Sequence, residues 1–192
     1  MPDLKMLLKF NFLHLGIIMG YWDYIVVNPK LSVASLPTLV TPDDESVQSK
    51  VKNIKQMFSF YNYEEDFPSA SKEALSYVKK NIAPVSLPIQ FWLRPGQTLN
   101  LEAGDEFDKA ALLCSLFIGL GNVSSKIITL VRGSEKKLAV YCEHNGAVTL
   151  FDIESGISEF KTRDEMLRKL GIGTDVSVDA YEFNDRMYND LT

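Results

Sequence analysis

Val47, Val51, Ile54 and Phe58 recur at helical spacing and predict an amphipathic helix over roughly residues 42–60. Thr41 and Pro42 read as its N-cap and first residue, with Asp43 and Asp44 in the first turn. Leu75, Val78 and Ile82 predict a second helix from about Ser71 to Asn81, stopped by Pro84 and Pro88. The intervening NYEEDFPSAS reads as a loop, and so does FWLRPGQTLNLEAGDE, with Pro95-Gly96 as its turn. Residues 106–120 are apolar almost all the way round, which requires a buried helix, and Gly121 is the expected C′ residue.

Beyond Gly121 the pattern changes period. KIITLVR (126–132), KLAVYCE (137–143) and AVTLFDI (147–153) read as strands. Asn145-Gly146 joins the last two as a tight hairpin, because both residues accept positive φ. Thr162 to Glu165 forms a capping box for a short helix ending at Gly171. The acidic last twenty residues offer Tyr181, Phe183 and Tyr188 as anchors. Helices segregated from an antiparallel run of strands define an α+β class, with a buried central helix packed on the sheet. Before residue 41, FNFLHLGIIMG and YWDYIVV have strand composition, and Pro29, Pro37 and Pro42 punctuate a loop. The expected organisation is an apolar extension over 1–40, either part of the domain or an interface, and one domain over 41–192.

Composition narrows the function. The 192 residues are 46% hydrophobic, enough for a core. The net charge is −5, and the only basic pairs singled out, Lys79-Lys80 and Lys136-Lys137, do not make the basic face a nucleic-acid partner needs. Nucleic acid is therefore not an expected partner. Two cysteines and two histidines give neither a disulfide framework nor zinc spacing, so no metal or other cofactor is expected and the compartment reads as reducing and cytoplasmic. Lys5, Lys9, Asn11, His14 and Asp23 interrupt the apolar N-terminal stretch, which falls short of the roughly 20 residues of a spanning helix. It reads as buried strand or helix, with a peripheral-membrane or partner-facing role, including a homo-oligomer interface, as the alternative.

The candidate chemistry starts at GDEFDKAALLCSLFIGLG, residues 104–121. Asp105, Glu106 and Asp108 begin the most apolar helix, where carboxylates suit the positive end of the helix dipole. Together with Asp152 they are also a candidate acid/base or divalent-cation cluster, although GDEFD lacks calcium-loop spacing. Cys114 lies on the buried helix and reads as a small hydrophobe. Cys142 and His144 share a strand face if the strand persists, but alternation with Leu138 and Val140 points Cys142 inward. The aromatics Phe58, Phe60, Tyr61 and Tyr63 read as packing, or as a recognition surface.

The order of these pieces resembles the transglutaminase-like superfamily, the papain-type cysteine-enzyme fold, from about Val47 to Asp152. ALSYVKKNI resembles the helix before the family's active-site loop. Trp92, Pro95, Thr98 and Leu99 resemble the approach to the catalytic helix. GDEFDKAALLCSLFIGLG resembles the Gly-x-Cys-x-Asp-x-Ala pattern that opens it, and FDIESG resembles the strand end bearing the family's Asp. The resemblance places the nucleophilic cysteine at Glu106, the histidine at Lys137 or Leu138, and the orienting aspartate at Asp152. Trp92, Asp105 and Asp108 would line the cleft. A thiolate needs its imidazole for acyl transfer, and a carboxylate is a poor nucleophile toward an amide. The resemblance therefore implies a non-catalytic binding or scaffold module for a peptide or protein partner. In that state Glu106 is expected to cap its own helix and Leu138 to fill the imidazole's space. The alternative is a hydrolase or acyl transferase with replaced chemistry on Glu106 and Asp152.

Overall fold

The computed structural model describes residues 33–85, 92–173 and 178–191. A 3-10 segment, Val33–Leu39, leads into α1 (Glu45–Lys55) and α2 (Tyr63–Asn81). Then come β1 (Ala83–Pro84), α3 (Pro95–Leu101), β2 (Ala103–Gly104) and the central helix α4 (Glu106–Gly119). The sheet strands are β3 (Lys126–Arg132), β4 (Glu135–His144), β5 (Ala147–Asp152) and β6 (Gly156–Phe160). After α5 (Arg163–Lys169) come β7 (Val178–Phe183) and β8 (Tyr188–Asp190). The six strands run in the order β6-β5-β4-β3-β7-β8, antiparallel throughout, and β1 and β2 form a small parallel pair. This is an α+β fold. The expected N-terminal strands and interface of residues 1–32 lie outside the described residues. Leu36, Leu39 and Val40, from the rest of the 1–40 segment, are buried in the main core.

Two hydrophobic clusters cover the two faces of the sheet. On one face α4 packs with α1, α2 and α3 against Ile127, Val140, Cys142, Phe151 and Phe183. On the other face Met166 of α5 and Ile172 meet Ile128, Tyr141, Val148, Leu150 and Ala180. The strand period of two puts alternate residues in alternate clusters. α4 buries every residue from Ala110 to Ile118, as its all-round apolar sequence requires. Its C-terminal carbonyls are satisfied by other elements: Lys55 Nζ donates to Gly119 O (3.0 Å) and Tyr61 Oη donates to Leu120 O (2.8 Å).

Several sequence expectations need correction. α1 is capped by Asp44, not Thr41, and ends at Lys55 rather than near residue 60. Residues 41–44 close a turn, with Asp44 N–H donating to Thr41 O, and the Asp44 carboxylate then accepts from the Ser46 and Val47 N–H groups. The expected loop at residues 62–71 is instead the start of α2. Asn62 caps it by accepting from Glu64 N–H, and Asp66 accepts from Asn62 N–H.

Pro68 lies inside that helix, where its missing N–H leaves the Glu64 carbonyl without a helical partner. His144 Nε2 (3.1 Å) and Asn145 Nδ2 (3.3 Å), from the β4–β5 hairpin, occupy that carbonyl. A residue that reads as a helix breaker thus creates the acceptor that docks the hairpin. The expected Pro95-Gly96 turn is the first turn of α3, with proline at its favoured first position and Gln97 Oε1 accepting from Arg94 N–H. An added Cβ at Gly96 would lie 2.5 Å from both Asp44 carboxylate oxygens, so a larger residue there would have to displace the carboxylate that caps α1.

Candidate functional site

The start of α4 is positioned from three sides. β2 pairs with β1 directly before it, α3 packs beside it, and the Trp92–Leu93 segment crosses it. Asp105 is the N-cap: its Oδ1 accepts from Asp108 N–H (2.9 Å), and Asp108 Oδ2 accepts from Asp105 N–H (3.0 Å). The expectation that Glu106 caps this helix is therefore corrected. Glu106 sits one residue into the helix with an exposed side chain, so the cap falls to its neighbour. Asp108 is only 3% exposed, and its second oxygen accepts from Leu93 N–H (2.7 Å).

The rings form a column beside this turn. Trp92, half-buried, stacks on Phe107 at 4.8 Å, Phe107 stacks on Phe183 at 5.9 Å, and Phe183 stacks on Tyr181 at 6.3 Å. Lys136 Nζ lies 5.8 Å from the Phe107 ring. Leu138 belongs to the helix-facing side of β4 with Val140 and Cys142, and packs on the main core. Thr129 stands directly across from it on β3, fully buried, with no partner for its hydroxyl among the described residues.

Asp152 has another arrangement. It ends β5 on the same alternation as Val148 and Leu150, the side opposite α4. Its Oδ1 accepts from the N–H groups of Glu154 (2.8 Å) and Ser155 (2.9 Å), which fixes the β5–β6 turn. Among the described residues no hydrogen bond joins it to Glu106. The two carboxyls nevertheless sense one another. Although Glu106 lies at the surface, partial burial raises its pKa, and the charges of Glu154, Asp105 and Asp152 raise it further. Burial also pushes Asp152 up, but the Ser155 and Glu154 N–H bonds outweigh it and hold the group below the usual carboxylate range. Burial raises both Asp105 and Asp108, and the Asp105 charge adds to the shift at Asp108.

The thiols lie elsewhere. Cys114 is fully buried inside α4, and burial pushes its pKa up. Burial likewise pushes Cys142 up to about 12, the opposite of thiolate activation. His144 shares the strand face of Cys142, but its ring packs on Tyr63 and Phe67 and its Nε2 is held at the Glu64 carbonyl. Among the described residues no hydrogen bond links it to Cys142. Thiol-specific alkylation of the native chain at neutral pH is therefore expected to leave both cysteines unmodified. Mass spectrometry should find both labelled only after denaturation.

Among the described residues, no group of three or more His, Cys, Asp or Glu side chains is placed to hold a metal ion. No described helix is long and apolar enough to cross a membrane. A cavity of about 460 Å³ opens away from α4, between the start of α2, the β4–β5 hairpin and α5, lined by Tyr63, Glu64, Glu143, His144, Lys161 and Arg163 among others.

The most elaborate polar cluster is one that the sequence reading missed. Glu182 on β7 is 1% exposed and faces the α5 side of the sheet. Its carboxylate accepts from Lys126 Nζ (3.0 Å), Arg163 Nη2 (2.8 Å), Asn189 Nδ2 (3.1 Å) and the Tyr141 hydroxyl. Burial alone would raise its pKa, but hydrogen bonds from Arg163, Tyr141, Lys126 and Asn189 outweigh it and hold the group down at about 2. The usable signal was a charge at the inward position of Val178, Ala180, Glu182.

No family model matches the chain, and no curated protein matches it.

Proposed function

We propose that this chain is a non-catalytic member of the transglutaminase-like superfamily that acts as a binding or scaffold module for a peptide or protein partner. One observation carries the reading. Where that family joins a thiolate to an imidazole, the start of α4 closes a capping box between Asp105 and Asp108, and the facing strand offers an aliphatic Leu138 packed on the core. Nucleophilic catalysis needs a nucleophile and base in contact, and neither thiol supplies one. The exposed Glu106 and half-buried Trp92 are among the groups at this turn that a partner can reach.

A second reading has its own support. Glu106 is pushed up and Asp152 is held down, and such divergence is how paired carboxylates divide acid and base roles. It makes the chain a hydrolase or acyl transferase. Incubation with a panel of ester and glutamine-amide substrates separates the two. The binding reading expects no turnover above buffer and no difference between wild type and Glu106→Gln. Turnover that Glu106→Gln abolishes would establish the enzyme and end the binding reading.

A further inference from the structure

The cavity of about 460 Å³ beside the β4–β5 hairpin is lined by two acids and two bases: Glu64 of α2 and Glu143 of β4, and Lys161 and Arg163 at the start of α5. Its volume falls within the roughly 300–1,000 Å³ of small-molecule sites. Among the described residues no ion pair joins either acid to either base. There Glu64, Glu143 and Lys161 hydrogen-bond through backbone groups, and their charged ends are left without a partner. Opposite charges that share one open space without touching are complementary to a ligand that carries both. We infer that this cavity binds a zwitterionic ligand of short-peptide size, with its carboxylate at Arg163 and Lys161 and its ammonium at Glu64 and Glu143.

Arg163 is held ready for a carboxylate. Its Nε donates to the Tyr141 hydroxyl (3.1 Å) and its Nη2 to Glu182 (2.8 Å). The Nη1 donors take no partner among the described residues and remain for a ligand. Glu182 is a single carboxylate against two cations, Lys126 (3.0 Å) and Arg163 (2.8 Å), so that cluster keeps a net positive charge. An incoming carboxylate supplies the missing counter-charge, in the planar geometry that a guanidinium fork matches. The side chain is already fixed, so little rotamer freedom is lost on binding.

The acidic side is held as firmly. Asn122 Nδ2 donates to Tyr63 Oη (3.0 Å) and to Glu143 O (2.9 Å), while His144 and Asn145 dock the hairpin on the Glu64 carbonyl. These bonds tie the start of α2, with Glu64, to the end of β4, with Glu143. Two carboxylates there oppose a ligand that is only anionic, such as phosphate, and Lys161 and Arg163 oppose one that is only cationic. The cavity opens away from α4, and binding in it does not depend on the reading proposed for the start of that helix.

The test titrates trialanine with free termini into the isotope-labelled full chain and follows the amide shifts by NMR. The peptide should shift the amides of Asn145, Gly146 and Lys161, which line the cavity, in a saturable way. Its N-acetyl form and its C-terminal amide should each bind about tenfold more weakly, as expected for losing a hydrogen-bonded charge. Lys161→Gln should weaken free trialanine several-fold and leave the C-terminal amide unchanged. Glu143→Gln should weaken free trialanine and leave the N-acetyl form unchanged. Neither substitution removes a side-chain hydrogen bond seen among the described residues, so both variants should fold as wild type does. No saturable shift at millimolar peptide would overturn the inference. So would equal affinity for the free and blocked peptides, or inorganic phosphate that shifts these amides as strongly as trialanine does.

Discussion

Glu182→Gln should destabilise the chain by about 3 kcal/mol, the low end for breaking a buried ion-pair network. Glutamine keeps one acceptor oxygen, so two of the four donors lose their acceptor, the Arg163–Tyr141 pair or the Lys126–Asn189 pair, and both Lys126 and Arg163 lose their counter-charge. Lys126 and Arg163 retain 17% and 30% side-chain exposure, so both can recover some hydration, which is why the low end applies. Tyr141 cannot, being fully buried. Urea unfolding should show the loss as a lower midpoint at unchanged slope. Thermal unfolding should show a fall of roughly 6–12 °C for a chain of this size. A change below about 0.5 kcal/mol, the range of an ordinary surface substitution, would mean that the network contributes no net stability.

The same residue sets part of the acid response. A carboxyl held at about 2 in the folded chain has a lower pKa than in the unfolded chain, so folding releases its proton more readily. Its contribution is fully present above the unfolded value of about 4.3 and is lost as pH falls toward 2. Asp105 and Asp108 act in the opposite direction, because their folded values are raised. Their contribution is fully present below the unfolded value of about 3.9 and is lost as pH rises toward their folded values. Wild type should therefore lose stability steeply between about pH 4 and 2, and Glu182→Gln should show a shallower slope there.

The central helix and the three strands after it were legible because each has one period and a strong punctuation mark. α4 spans Glu106–Gly119 against an expectation of 106–120, and Gly121 takes a φ of 116° as a C′ glycine can. Asn145 and Gly146, at φ 49° and 76°, make the expected hairpin. The misread elements failed for local reasons with tertiary remedies. Pro68 is tolerated inside α2 because a hairpin distant in sequence takes up the freed carbonyl. Pro95 opens α3, and only its position relative to Leu93 and Gln97 separates a helix start from a turn. At the candidate site the residue types were legible but the division of labour was not. Asp105, Glu106 and Asp108 all suit a helix start by charge, yet backbone direction alone decides that Asp105 caps, Asp108 turns inward and Glu106 stays in water. Glu182 was hidden because its partners come from β3, β4, α5 and β8, which no local window joins.

Phe117→Ala should cost more than any of these polar changes, about 4 kcal/mol. Phe117 is fully buried in α4, with its ring edge-on to Phe67 of α2 at 5.8 Å and to Phe151 of β5 at 4.7 Å. It therefore joins the helical layer to the sheet through one side chain. Truncation removes the ring's transfer free energy and leaves a void that two flanking rings on separate rigid elements cannot collapse to fill. A domain of this kind has only about 5–15 kcal/mol of total stability, so the variant should sit near its unfolding threshold at 37 °C. Phe117→Leu keeps most of the volume and should lose about half as much. Unfolding midpoints of the two variants under one set of conditions decide the matter. Equal losses would mean that the cost is ring stacking rather than volume. A small loss for alanine would mean that the helix layer can settle onto the sheet, and that α4 is not the rigid support that the capping box at its N-terminal end requires.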